Sequence, residues 1–292
     1  LVGSKQAIAA PPATPPRYSL LFVANQIQNG DDWMQGVRWA PEQTLGGGVL
    51  ALDCFGSTDS MTPDTNSGWA EAEPFSVWAE DHCSTFGFLA RDYEARALRQ
   101  LEAMQSFQVA HEFWTGDLAQ SASLDNHWLT EDPKILTSTA LAPAEALAIV
   151  DMGLGQMLGG RRGMIHVSMQ VLDELAVNDA ITLNGQLWLS PAGTPIVADA
   201  GYPGDEPDAG DADAHQWIYG TSMVQYRLGE VMLVPGTLDE ARAQATARAT
   251  NLTTVFAQRL VLLQWDSEIP IGTSGKEGVL AAETTTAAFA AL

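Results

Sequence analysis

The stretch from Arg91 to Asp117, RDYEARALRQLEAMQSFQVAHEFWTGD, is the longest uninterrupted helical pattern in the chain, and it limits how everything else can pack. Tyr93, Ala97, Leu101, Met104, Phe107, Ala110 and Trp114 recur at a mean step of about 3.5 residues, which predicts one apolar stripe facing a partner surface. The opposite face is charged, with Asp92 one turn before Arg96 and Arg99 one turn before Glu102. Gly116 is the expected stop. At 1.5 Å per residue such a helix runs about 36 Å, too long for a minor packing element.

Before this helix the pattern changes twice. AIAAPPATPPRYSLL places Pro11, Pro12, Pro15 and Pro16 in a short span, which excludes helix there and favours an extended arm. Trp33 and Trp39 follow in DDWMQGVRWAPEQ, an irregular segment whose aromatics predict docking on a surface. From Leu45 to Phe88 two β-favouring runs, GGGVLALDCF and WAEAEPFSVWAEDHCSTFGF, flank the turn-rich STDSMTPDTNSG, which is a long-hairpin signal. Cys54 and Cys83 are equidistant from the Gly68–Trp69 junction and would lie near each other in a simple register. A two-stranded hairpin is not stable alone, so it must lean on another surface.

After the long helix, SASLDNHWLTEDPK reads as loop, and Pro143 opens a second helix, PAEALAIVDMGLGQML. A strand GMIHV, a helix SMQVLDELAV begun by Ser168, and strands ITLNGQLWLS and TPIVADAG then alternate up to the acidic loop GYPGDEPDAGDADA. The last third returns to strands, HQWIYGTSMVQYRL, EVMLVPG and NLTTVFAQRLVLLQW. A helix LDEARAQATARA, started by a capping box of Thr237 and Glu240, is expected before the last of them. Along that strand Val255, Ala257, Arg259, Val261 and Leu263 alternate with Phe256, Leu260, Leu262 and Gln264. The fold class is α+β.

With 36 acidic and 14 basic residues the formal charge is −22, which repels phosphate backbones and disfavours direct nucleic-acid binding. Two cysteines without a CxxC pair support neither a structural zinc nor a disulfide scaffold, so reduced thiols are expected. Glu145 and Asp151 interrupt the best apolar run, leaving nothing near the ~20 residues of a membrane span. A soluble protein is expected. The chain opens on Leu1 without a basic-then-apolar signal pattern, so an upstream segment, cleaved or left out, is a further expectation.

Motifs of chemistry are thin. Gly153, Gly155 and Gly159 fall short of a dinucleotide fingerprint, because Leu158 stands where a glycine is needed and a helix precedes them. GTSGKEG lacks the first glycine and the magnesium-binding hydroxyl of a phosphate loop. His82, His111, His127, His166 and His215 have no metal-ligand spacing, and His111–Glu112 lacks the second histidine of a zincin. The acids from Asp205 to Asp213 lack the order of a calcium loop.

Six stretches carry a family resemblance: PFSVWAEDHCSTFGF running into the long helix, its end EFWTGD, GMIHVSMQVLDEL, GTPIVADAGYPG, WIYGTSMVQYRLGEVMLVP and QRLVLLQWD. In their order they resemble the major capsid proteins of tailed bacteriophages with the Hong Kong 97-type fold, most like those of phages infecting actinobacteria. The resemblance implies an N-terminal arm at 1–40 and an extended loop at 41–85. It implies a peripheral domain at 86–140 and 215–292, with a spine helix at 91–115, and an axial domain at 141–214. It also implies self-assembly into hexamers and pentamers of an icosahedral head around packaged DNA, in the virion and, during assembly, the host cytoplasm. Partners would be copies of the chain and scaffold, portal and decoration proteins, with no membrane. No catalytic, cofactor-binding or metal-ligating residue is expected. The lysine–asparagine crosslink of some members is not expected either, since no lysine lies between Lys5 and Lys134.

Trp33, Trp39, Trp69 and Trp78 would anchor contacts between subunits, unless they are core residues of their own chain. The strong acidity would keep a shell from adhering to its contents. The alternatives are an encapsulin-type compartment holding an enzyme cargo and a soluble α/β hydrolytic enzyme.

Overall fold

Two sheets share one long helix. A computed structural model describes residues 17–28, 30, 32–41, 69–84, 93–204, 215–234, 252–266, 270–271, 275–276 and 278–285. Pro11 to Pro16, the first strand of the expected hairpin with Cys54, Asp92, the acids from Asp205 to Asp213 and the Thr237/Glu240 helix lie outside the described residues.

In the first part of the chain, α1 (Leu20–Val23) and β1 (Asn25–Gln26) precede β2 (Val37–Trp39), β3 (Ala70–Ala72) and β4 (Phe75–Ser84). The spine is α2 (Tyr93–Thr115), followed by a short α3 (Asp117–Ala122), so the expected loop after the spine begins inside a helix. Next come β5 (Lys134–Ile135), α4 (Pro143–Met157), β6 (Gly163–Val167), α5 (Met169–Val177), β7 (Thr182–Asn184), β8 (Leu187–Leu189) and β9 (Pro195–Ala198). The rest is strand: β10 (Gln216–Ser222), β11 (Gln225–Leu228), β12 (Met232–Val234), β13 (Leu252–Gln264), β14 (Pro270–Ile271), β15 (Gly275–Lys276) and β16 (Leu280–Thr284).

The starts of α4 and α5 follow directly from sequence. Pro143 occupies the first turn of α4, where a missing N–H costs nothing. Ser168 caps α5, its hydroxyl accepting from Val171 N. One expectation fails nearby: ITLNGQLWLS is a hairpin of β7 and β8 rather than a single strand. Its turn is Gly185-Gln186, closed by the Asn184–Leu187 pair, with Gly185 at φ +64°, a backbone conformation that glycine adopts freely.

Seven strands form the larger sheet, in the order β5-β16-β10-β6-β9-β8-β7. It draws on residues from both sides of position 214. Ile165, Val167, Ile196, Ala198, Ile218, Leu280 and Ala282 pack in one cluster with Leu147, Val150 and Leu154 of α4 and Val171, Leu172 and Leu175 of α5. The alternate residues Met164, Val197, Tyr219 and Ala281 pack with the spine's Phe113 and Trp114. Both faces are covered, which is why β6 and β9 are buried at every position and, His166 apart, carry no polar side chain.

In the smaller sheet β13 is central. β11 and β12 pair along one edge, and β4 pairs with Leu252–Val261 along the other. The second half of the expected hairpin therefore finds its described partners in β13 and, through β3, in β2, which pairs Val37–Trp39 with Ala70–Ala72. The arm docks on its own chain: β1 runs parallel to β11, and Leu20 is fully buried.

The spine does not present one stripe. Ala97, Leu101, Ala110 and Trp114 are buried as expected, but Met104 and Phe107 are 46% and 44% exposed. At 3.6 residues per turn, Ala97 and Leu101 lie on one side, while Ser106, Val109, Ala110, Phe113 and Trp114 lie on roughly the opposite side. The first half packs on the smaller sheet and the second half enters the seam between sheets, so the buried face changes midway. Arg96 pairs with Asp81 of β4 at 3.0 Å.

Candidate assembly surface

Strand β4 alternates strictly. Phe75, Val77, Ala79 and Asp81 are buried toward the spine, and Ser76, Trp78, Glu80 and His82 face outward. Across the ladders Trp78 and Met232 both oppose Gln258, and Glu80 and Val234 both oppose Phe256, so these side chains share the outer face. Trp78 is 51%, Met232 45% and Val234 43% exposed. The Trp78 and Phe256 rings meet edge-on at 5.9 Å. From the helix side Gln108 Nε2 donates to the Trp78 carbonyl at 3.0 Å, fixing the strand beneath the indole.

The other end of the same face is covered by the arm. Trp33, at 5% exposure, packs on Ala72 and the fully buried Leu262, with Val37, Trp39 and Leu260 around it. Trp39 Nε1 donates to Asp266 Oδ1 at 3.1 Å, and Asp266 N donates to Ser222 Oγ at 2.8 Å. The four tryptophans singled out in the sequence therefore divide. Trp33 is covered by its own chain and Trp39 is half-buried beside it. Trp69 is 59% exposed with the Arg38 guanidinium 5.3 Å from its ring, and Trp78 stands apart on the open half of the sheet. Met232 and Val234 were missed, although their alternation with Leu233 in EVMLVP was visible.

Where spine, arm and larger sheet meet lies a buried polar knot. Thr221 Oγ1 donates to the Ser222 carbonyl at 2.8 Å, so it accepts from His166 Nε2–H at 2.8 Å, and His166 Nδ1 accepts from Tyr202 O–H at 3.1 Å. Burial without a neighbouring charge pushes the His166 pKa from 6.5 down to about 3, so the imidazole is neutral. Asp199 accepts from Leu20 N, Ser106 Oγ and Gly201 N, tying arm, spine and sheet together. Desolvation raises its pKa against the lowering effect of those bonds.

The other polar groups hold structure. Glu112 accepts from Leu118 N and Ala119 N, both at 2.9 Å, capping the start of α3. His111 Nδ1 lies 3.2 Å from the Gly201 carbonyl. Gly153 and Gly155 sit within α4. Among the described residues no three His, Cys, Asp or Glu side chains gather as a metal site, and no helix is long and apolar enough to cross a membrane.

No family model and no curated protein matches the chain. Solved structures do, over nearly its whole length. The capsid of a native GTA particle superposes with a TM-score of 0.56 at 13% identity, covering 98% of this chain and 96% of that one. A structure from Gordonia phage Cozz gives 0.56 at 10% identity, covering 98% and 92%. The holo-SrpI encapsulin complex from Synechococcus elongatus gives 0.54 at 10% identity, covering 98% and 93%. At such identities the likeness is one of fold. The chain has the Hong Kong 97-type fold that its sequence resemblance implied.

Proposed function

We propose that the protein is the major capsid protein of a tailed phage, assembling from copies of itself into hexamers and pentamers of an icosahedral head. The observation that carries this reading is the end-to-end match to a particle capsid, 98% of this chain against 96% of the other. The open half of the smaller sheet supplies what assembly needs. Trp78, Met232 and Val234 form an apolar patch that a neighbouring copy would cover, and Trp69 is the second outward anchor. Trp33 and Trp39 position the arm within the subunit.

The division into arm, extended loop, peripheral domain and axial domain follows from the same reading. The spine and smaller sheet would form the peripheral part, and α4, α5 and β6–β9 the axial part. The chain would carry no catalytic site and would enclose DNA without reading it, the acidic subunit repelling the genome. Scaffold, portal and decoration proteins would meet the shell during assembly in the host cytoplasm. A host among actinobacteria is supported by the similar structures from Gordonia and Mycobacterium phages.

Size-exclusion chromatography followed by electron microscopy tests this. Closed shells eluting near the void volume are expected, and a small oligomer at every concentration would refute the proposal. A second reading, an encapsulin-type compartment, is favoured by the likeness to the encapsulin complex. Protein cargo rather than DNA inside particles purified from the native host would select it.

A further inference from the structure

Beyond the end of the spine lies a groove of about 440 Å³, within the size range of ligand sites. Trp69 and Trp128 contribute aromatic walls, and Glu71, Asp125 and Glu131 contribute carboxylates. Among the described residues that line it there is neither lysine nor arginine.

Its walls are set in advance. Asn126 Oδ1 accepts from Glu73 N at 2.7 Å and its Nδ2 donates to Glu73 O at 3.0 Å, joining the segment after α3 to the strand that carries Glu71. Leu129 N donates to Phe113 O at 2.9 Å, Thr130 Oγ1 donates to Trp114 O at 3.1 Å, and Leu129 is fully buried. The Trp128 indole rests where a side chain at Gly116 would stand, and Gly116 is at φ +64°, so only glycine admits that wall. Glu131 is held by His127 at 2.7 Å.

The chemistry selects a cation. Aromatic faces beside carboxylates attract guanidinium or ammonium, and a planar guanidinium both stacks and bonds two carboxylate oxygens. One guanidinium already lies beside this wall, since the register sets Arg38 directly opposite Glu71. Arg38 lies 5.3 Å from the Trp69 ring and 4.0 Å from Glu71, a loose and mostly exposed contact, and it is not among the described residues that line the groove. Of the 14 basic residues only three are lysines, so the cations that a copy of this chain can offer are mostly arginines.

We propose that this groove receives an arginine-bearing segment of a second copy of the chain, with the guanidinium against Trp69 and between Glu71 and Glu131. This rests on the shell reading. Subunits of charge −22 repel one another, so their contacts must set scarce arginines against acids, and the groove is a preformed place to do so.

Photo-crosslinking tests it in assembled particles. A benzophenone side chain replaces Gln120, an exposed residue of the groove wall, and particles are formed from equal amounts of ¹⁴N- and ¹⁵N-labelled chain. Mixed-isotope crosslinks to one arginine-containing peptide are expected. Glu71→Gln combined with Trp69→Ala should abolish that crosslink and flatten the dependence of assembly on sodium chloride, while leaving the circular dichroism of the subunit unchanged. Particles that form normally but crosslink only within one chain, to no arginine-containing peptide or to a different protein would overturn the proposal alone. Failure of the wild-type chain to form particles would overturn the shell reading and this occupant together.

Discussion

The two sheets are built to opposite rules. Every residue of β6 and β9 is buried, because α4 and α5 cover one face of the larger sheet and the spine covers the other. The smaller sheet has the spine on one face, while on the other the arm covers the Leu262 end and Trp78, Met232 and Val234 are left at 43–51% exposure. One sheet is finished by its own chain and the other is half-finished. In a subunit proposed to join copies of itself, the apolar area left uncovered is what would remain available for association.

That contrast fails if the residues of the finished sheet prove dispensable to folding. Trp114, fully buried between Tyr202 and Tyr219 at ring distances of 4.9 and 4.8 Å, should be the most costly loss. Trp114→Ala is expected to destabilise the isolated subunit by about 3–5 kcal/mol in urea unfolding. Leu154→Ala, under the other face of the same sheet, should cost about 2–5 kcal/mol by the same measurement. A loss below about 1 kcal/mol at both sites would remove the distinction.

The polar knot offers a graded probe. Between pH 6.5 and about 3 the unfolded chain binds a proton at His166 that the folded chain refuses. That residue's contribution is therefore fully present above pH 6.5 and falls on acidification, by at most about 1.4 kcal/mol per pH unit. Asp199 acts in the opposite sense, since its raised pKa makes the folded carboxyl the better proton acceptor above its ordinary 3.8. Because the two offset each other in bulk unfolding, the clean observation is the imidazole itself. Its NMR shifts should stay those of the Nε2–H tautomer until close to pH 3, and protonation near 6 would contradict the buried network.

The smallest folding effect is expected on the half-finished sheet. Trp78→Ser should change subunit stability by less than about 1 kcal/mol, because half the side chain is already in water. The same change should abolish or strongly slow particle formation measured by light scattering. If it unfolds the subunit as severely as Trp114→Ala, the outer face is part of the core after all.

The local elements were legible because their signals are local. Pro143, Ser168, the run GMIHV and the strand to Gln264 all lie where periodicity and capping place them. The turn at Gly185-Gln186 carries an equally local signal, an Asn-Gly dipeptide inside the run ITLNGQLWLS. What escaped was set at a distance. The spine's single stripe was an extrapolation of one partner surface, whereas the chain supplies two, from β4 and β13 and from Tyr202 and Tyr219, so Met104 and Phe107 end up outside. The four tryptophans could not be sorted by type or spacing. Trp33 is buried only because Leu262, from the far end of the chain, lies beneath it, while the neighbours of Trp78 across the ladder leave it open.

Assembly turns on what covers Trp78. A cryo-electron microscopy reconstruction of particles assembled from the full chain, at a resolution that shows side chains, decides it. A neighbouring copy is expected to bury the Trp78, Met232 and Val234 patch in every capsomer. Particles in which that patch stays open to solvent, or preparations that yield only monomers, would contradict it.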